Sequence, residues 1–360
     1  MDIYSTYFML AAVEEIPLEH RFFRKRYFPT NKMFDVFGSP NVLADFTENT
    51  QKRAPFVLPR IGGIPVTRDG FSSFMIEPAN ISVSMPLTID QLNQRQFGES
   101  LLSNRSPADR AKIFLMGDLQ KLGEMIERSE EIFSIKTIMD NGTIMRHRTD
   151  NPDIYEDIGA NFYDGDNNPA LFTPAQPWTT SVCENGAWKP GNWYNDICAM
   201  IQSLKSTGRP VTEILVSDDV GNFLMNDGWI LAMLDNKRAE MGGIDPAELT
   251  IDEYQIGTFN FKGRRLPIIV SNGTYEDDSG ADVPYMPNGT VIAIAKGCGR
   301  GLYGAVTLIE GKRYKTYGGM KVPHHIVTER PPAIETELTS RPLFVPLRAN
   351  PWRVAKNVFD

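Results

Sequence analysis

The sequence predicts an α+β fold, and three observations carry that expectation. A long amphipathic helix starts at a capping pattern around Ser106, shorter helical patterns fall between Asn192 and Arg238, and strand-like runs divided by Gly, Pro and Asp flank both. The chain has 360 residues, enough for about two domains. Its 41% hydrophobic and 23% charged side chains are ordinary for a globular protein. That balance excludes a mainly disordered chain, a collagen, a coiled coil and a small disulfide scaffold.

Taken in order, residues 1–40 read as an arm with little core of its own. Within it, His20–Phe28 mixes aromatic and basic side chains, as expected of a helix end laid on a neighbour, and Pro29 and Pro40 punctuate the chain beyond it. Residues 41–100 alternate short β-like runs, Phe71–Ile76 and Ile81–Met85 among them, with Gly, Pro and Asp. Their apolar content is too thin for a self-contained domain, so a long hairpin packed on something else is expected.

Ser106-Pro-Ala-Asp109 has an N-cap serine, a proline at the first helical position and an early acid. Leu115, Leu119, Leu122 and Ile126 then share one helical face, with Asp118, Lys121, Glu124, Glu127 and Arg128 on the other. The pattern runs to about Phe133. Asn141-Gly142 between Ile135–Met139 and Thr143–Met145 predicts a type I′ hairpin, and Asn272-Gly273 and Asn288-Gly289 repeat the turn chemistry. Helices are expected over Asn192–Lys205, Asp218–Met225 and Gly228–Arg238. Strands are expected over Thr212–Val216, Gly257–Phe261, Leu266–Val270, Thr290–Ala295 and Ala305–Ile309, with a strand-like tail over 340–360.

The net charge of −8 argues against a general nucleic-acid binder. Residues 150–290 hold 22 acidic against 8 basic side chains, so an acidic middle lobe lies between mildly basic ends. No run of 18 apolar residues exists to span a membrane. The apolar run Tyr7–Val13 has no basic residue before it, so a signal peptide is not expected. Cys183, Cys198 and Cys298 are odd in number and far apart, which suggests reduced thiols in a cytoplasmic setting.

The motifs that would carry catalysis fail on inspection. Gly299-Arg-Gly301-Leu-Tyr-Gly304 is a formal dinucleotide fingerprint, but the helix that must hold the pyrophosphate is replaced by strand-like Ala305–Ile309. A tight glycine loop between strands is the better reading. Asp164-Gly-Asp166-Asn-Asn168 begins like a calcium loop, yet Pro169 occupies the position of the required glycine. His324 and His325 are adjacent and have no zinc-spaced partner. Glu276-Asp-Asp278 with Trp178, Trp188 and Trp193 is the one arrangement that would suit a carbohydrate-active enzyme. No catalytic residue, metal or cofactor is expected.

The order of these parts is itself informative. Arg21-Phe-Phe-Arg-Lys-Arg-Tyr-Phe28, then Met286-Pro-Asn-Gly-Thr-Val-Ile-Ala with Gly299–Gly304, then Ile334-Glu-Thr-Glu-Leu-Thr-Ser-Arg-Pro-Leu-Phe-Val-Pro ending at Asn350-Pro351, resembles the lambda-type major capsid protein E family of tailed phages. The resemblance implies the Hong Kong ninety-seven type capsid fold. Residues 1–40 would be the N-arm and 41–104 the E-loop. Residues 105–189 would form a P-domain with its spine helix, 190–320 the A-domain, and 321–360 a return to the P-domain sheet. It further implies a structural protein that self-assembles as pentamers and hexamers into an icosahedral virion capsid around double-stranded DNA, built in the host cytoplasm.

Expected partners are other copies, a scaffolding protein, a decoration protein, the portal and packaged DNA, with no membrane. A separate scaffold is expected because no long helical extension precedes the arm. Covalent cross-linking from the E-loop is not expected, because no lysine occurs from Arg53 to Ala111. Arg21, Arg24, Lys25 and Arg26 are the expected assembly residues, facing acidic groups of a neighbouring subunit or DNA. The competing readings are another virion component such as a tail protein, or a soluble carbohydrate-active enzyme.

Overall fold

The computed structural model describes residues 6–16, 22–47, 71–88, 107–148, 155–163, 165–185, 187–206, 208, 210–235, 242–243, 247–250, 252–277, 279–310, 313–329 and 332–359. Ser106, Asp164, Asp278, Arg21 and most of the expected E-loop tip lie outside them.

The fold is built on one long helix, Pro107–Asp140, of 34 residues and roughly 51 Å. It begins where the proline at the first turn predicts. It ends seven residues beyond the expected Phe133, and the reason is visible. Ile135, Ile138 and Met139 are buried and continue the helical face, although in sequence Ile135–Met139 reads equally well as a strand. Asn141, at φ 49°, then stops the helix in the left-handed region. Asn141-Gly142 is therefore a helix stop and not a hairpin turn. Gly142–Arg148 pairs instead with Tyr155–Asn161.

Along its first half the helix packs Leu115, Leu119, Leu122 and Ile126 against Met9 and Val13 of the helix Thr6–Glu15 and Leu338 of the sheet. That sheet has three antiparallel strands in the order Val322–Glu329, Pro332–Ser340, Ile81–Thr88. Alternation explains its seat: Val83 and Met85 turn toward the helix while Ser82 and Ser84 stay exposed. Val42–Thr47 pairs with Phe71–Ile76. The sequence marks Phe71–Ile76 as a strand of a hairpin but not its partner Val42–Thr47. It also counts Ile81–Met85 in that hairpin, whereas this run belongs to the three-stranded sheet. Val42 and Ala44 bury against Leu302, Leu343 and Val345.

The second lobe is a mixed sheet. Its path runs Gly242–Gly243, Glu253–Phe261, Arg264–Ser271, Glu213–Ser217, Val291–Ile294, Arg353–Ala355, Leu171–Phe172. Glu213–Ser217 runs parallel to Arg264–Ser271 and antiparallel to Val291–Ile294. Both faces are buried, so the middle of each central strand is apolar, with polar residues such as Glu213 and Ser217 at the ends. Ile214, Val216, Ile268, Val270, Val291 and Ala293 point to one core, which also takes Ile197, Ile201 and Leu204 of the helix Asn192–Ser206 and Val220 and Leu224 of the helix Asp218–Met225. Leu215, Ile269, Ile292 and Ile294 point the other way, onto Ile135 and Ile138 of the long helix and the arm aromatics Phe22, Phe23, Tyr27 and Phe28. The arm thus closes a core of its own chain, where the sequence suggested little core and a neighbour.

Candidate assembly site at the arm junction

The arm helix Phe23–Tyr27 is only five residues long, too short to stand alone. Its backbone is fixed by Glu131 of the long helix, which accepts the N–H of Phe23 and, at 3.0 Å, the N–H of Arg24. Aromatic edges anchor it further: Phe22 meets Phe23 and Tyr27 edge-on, and Phe28 packs on Phe344 and Trp352.

The chain then runs from Arg26 to Ser39 beside residues 297–305. Gly297 N–H bonds to the Arg26 carbonyl at 2.9 Å, Tyr303 N–H to Asp35 at 2.8 Å, Phe37 N–H to Tyr303 at 2.8 Å and Ala305 N–H to Ser39 at 2.9 Å. This explains the glycines. A Cβ on Gly299 would lie 2.3 Å from the Phe28 ring, and one on Gly301 would lie 2.5 Å from Thr30 Oγ1. The segment is not a loop but a strand, Gly299–Tyr303, paired with Pro342–Pro346. Its glycines are the groove in which the arm lies.

Of the four expected assembly cations, Arg21 lies outside the described residues. Arg24 is buried and pairs with Glu127 at 3.0 Å and, more closely, with Glu130. Lys321 joins the cluster on Glu127 at 2.7 Å, Tyr303 Oη donates to Glu130 at 3.1 Å, and Ser340 Oγ donates to Glu130 at 2.9 Å. Lys25 is exposed. Arg26 makes a two-pronged contact with the buried Glu213 of the second lobe at 2.7 and 2.6 Å, and Tyr27 Oη donates to the same carboxylate at 2.5 Å. Arg24 and Arg26 are therefore spent inside the chain, one on each lobe.

Burial opposes every charge in this cluster, and the partners decide the outcome. Glu127 is pulled below the usual carboxylate range because Arg24 and Lys321 outweigh its burial. Glu130 is pushed up by burial and by Glu127 in spite of Arg24. Burial lowers Lys321, and raises Tyr303 beside Glu130 and Tyr27 beside Glu213. The sequence reading placed Glu127 on a solvated face, but it is 5% exposed. Glu127, Glu130 and Glu131 recur at helical spacing and answer the basic run of the arm. That complementarity was the available signal.

The other motifs resolve into structural duties. Asp219 accepts the Gly289 N–H at 2.7 Å and Ser217 Oγ accepts the Thr290 N–H at 3.1 Å, pinning the Asn288-Gly289 turn. Asn168 holds the end of the long helix through the Asp140 carbonyl at 3.0 Å. Asp277 accepts from Ser279 and Ala281 within its own turn, and the Ser279 hydroxyl holds its carboxyl below the usual range. Trp178 is bonded to Asp196, and Trp193 is buried against Tyr194 and Trp229. His324 faces Glu337 at 3.5 Å across the sheet.

A long spine helix, a hairpin at its flank and a separate mixed-sheet lobe, with an arm stitched over both, define the Hong Kong ninety-seven type of viral shell protein. A crystal structure assigned as a capsid protein of prophage from E. coli CFT073 shares this architecture, with a TM-score of 0.64, 15% identity, and 98% of each chain covered. Weaker likenesses extend to the capsid of Ralstonia phage GP4, with a TM-score of 0.47, 10% identity, and 95% of this chain and 91% of that one. Mycobacterium phage Che8 gives a TM-score of 0.45 at 12% identity, over 96% and 93%. No curated protein matches. The chain belongs to the family phage major capsid protein E, which it matches over residues 5–357. It is a structural capsid protein of the bacteriophage virion.

Proposed function

We propose that this chain assembles through pentameric and hexameric capsomers into the icosahedral head enclosing double-stranded DNA, and that it does so without catalysis. One observation carries the reading. Met33, Phe34, Met75, Ile144, Ile309 and Tyr314 are each at least 60% exposed, and all sit on the arm turn or on hairpins. A lone chain leaves these faces wet, whereas interfaces of several thousand Å² per subunit cover them. Negative-stain imaging with sedimentation, on the protein alone and with the phage's scaffold co-expressed, tests it. Shells or rings of five or six are expected. A 40.5 kDa monomer under both conditions overturns the reading.

The domain division 1–40, 41–104, 105–189, 190–320 and 321–360 belongs to the same proposal, as N-arm, E-loop, P-domain, A-domain and P-domain return. A scaffold, a decoration protein, the portal and DNA on the inner surface are its partners, with assembly in the host cytoplasm. Shell strength comes from interdigitated arms, so mature particles should run as intact monomer on a denaturing gel; a covalent ladder would refute this. Arg24 and Arg26 serve assembly by fixing the arm, and Lys25 meets a neighbour or DNA. Reversing Lys25 to Glu should lower the yield of shells. An unchanged yield removes Lys25 from the interface. Against a carbohydrate-active enzyme stands the commitment of Asp277 to its own turn.

A further inference from the structure

Beyond its seat on Gly299 and Gly301, the arm makes a turn over residues 31–35 whose base is fully bonded. Asp35 is 2% exposed, and its carboxylate accepts the Asn31 N–H at 2.7 Å. The Asn31 carbonyl accepts the N–H of Phe34 at 3.1 Å and of Asp35 at 2.8 Å, and the Asn31 side chain accepts that of Met33 at 3.0 Å. The Asp35 carbonyl and the Phe37 N–H both bond to the backbone of Tyr303, which ties the turn to the groove strand. This polar base holds out two large apolar side chains, Met33 at 82% and Phe34 at 71% exposure. Lys32 is exposed beside them, as is Arg300, which leans on Asp35 at 3.5 Å.

A face of matching character lies on the two-stranded sheet of Val42–Thr47 and Phe71–Ile76. Leu43 and Met75 are direct cross-strand partners. Val42, Ala44, Phe74 and Ile76 turn into the core, so alternation leaves Leu43, Asp45, Ser73 and Met75 on the outer side. Leu43 is 49% and Met75 67% exposed. Asp45 and the exposed Glu77, which Arg341 reaches at 3.0 Å, give this face an acidic rim.

We propose that the Met33–Phe34 knob of one copy docks on the Leu43–Met75 face of a second copy of this chain, with Lys32 and Arg300 set against Asp45 and Glu77. The inference rests on the shell-forming reading above and names one contact within it. Charge selects the occupant: the knob is apolar with a basic rim, and the face is apolar with an acidic one. Each chain carries both surfaces and leaves both exposed, so one copy cannot satisfy them and a second can. The contact is head-to-tail, the kind that propagates into rings and larger assemblies. The bonded base sets the knob in shape beforehand, so little ordering entropy opposes docking.

The test uses full-length chains with the phage's scaffold co-expressed: the wild type, Phe34→Asp, which alters only the knob, and Met75→Asp, which alters only the face. Thermal melting shows that each chain folds. Each folded variant should give shells in yields lower by on the order of tenfold or more. A one-to-one mixture of the two variants still holds one intact knob and one intact face, so sedimentation should show dimers that grow no further. A wild-type shell yield from either folded variant, or a mixture that gives anything other than dimers, overturns the knob contact. A wild type that forms no shells overturns the assembly reading itself. Should a variant not fold, hydrogen exchange of the wild type decides. Peptides covering 31–35 and 73–77 should both slow between the unassembled chain and shells, and protection of one without the other overturns the pairing.

Discussion

The mixed sheet of the second lobe and the arm are held by opposite means. In the sheet, each central strand carries its own instructions. Ile214–Val216, Leu266–Val270 and Val291–Ile294 are apolar on both faces, and simple alternation sends Ile214 one way and Leu215 the other. The arm has no such self-contained pattern. It is placed by Glu131, Glu130 and Glu127, more than a hundred positions away, and by a glycine groove nearly three hundred positions away. One region is specified by what it is made of, and the other by what answers it. Polar specification of the second kind is costly to break, because a buried charge left alone has nowhere to go.

The largest expected effect is the loss of such a partner. Arg24→Ala strips the main counter-charge from Glu130, which is wholly buried. The chain should lose about 3–5 kcal/mol in denaturant unfolding. Replacing Arg24 and Glu130 together by Met should recover most of it; a double variant as weak as the single one would mean that the pair does more than balance charge. The sheet supplies the counterpart. Ile268→Ala empties a fully buried position and should cost about 2–5 kcal/mol. Limited proteolysis should then distinguish the two regions, with Arg24→Ala exposing residues 22–40 first and Ile268→Ala leaving them protected.

Next in size is Gly299→Ala. The new methyl group would collide with the Phe28 ring, a contact that must relax by moving the arm or its neighbour Trp352. A loss of about 1–3 kcal/mol is expected, with the arm again the first segment cleaved. If Gly299→Ala proves neutral, the groove is looser than the backbone hydrogen bonds at Gly297 and Tyr303 imply.

The same contrast decides what could be read from the sequence. The four longest strands of the sheet lobe were legible, and Asp218–Met225 was read to the residue, because local periodicity was enough; the two-residue strands Gly242–Gly243, Ala247–Glu248 and Leu171–Phe172 are too short to show a period. The start of the long helix was legible from Pro107 and its capping chemistry, and the capsid fold from the order of motifs along the chain. The end of that helix was not, because Ile135–Met139 fits either period and only its burial against Leu215 and Ile269 decides. The arm's seat was also hidden. Arg24 and Arg26 announced a charged contact, but not that Glu130 and Glu213 of the same chain would take them. The glycines at 299 and 301 read as a loop because their cause, the Phe28–Thr30 segment, lies far off in sequence.

The smallest effect concerns a glycine with no such cause among the described residues. Gly117 sits inside the long helix, and a Cβ there would find none of the described residues within 4 Å. Gly299 and Gly301 are required by the arm, whereas Gly117 is required by neither backbone conformation nor any described neighbour. In a helix interior glycine costs roughly 1 kcal/mol relative to alanine. Gly117→Ala should therefore stabilise the unassembled chain by about that amount, seen as a small rise in melting temperature. The comparison sharpens if shells are then assembled from the variant. An undiminished shell yield would make Gly117 indifferent to packing. A lower yield from a more stable chain would mean that the helix surface there must accept a close approach from outside, as the groove at Gly299 accepts one from within.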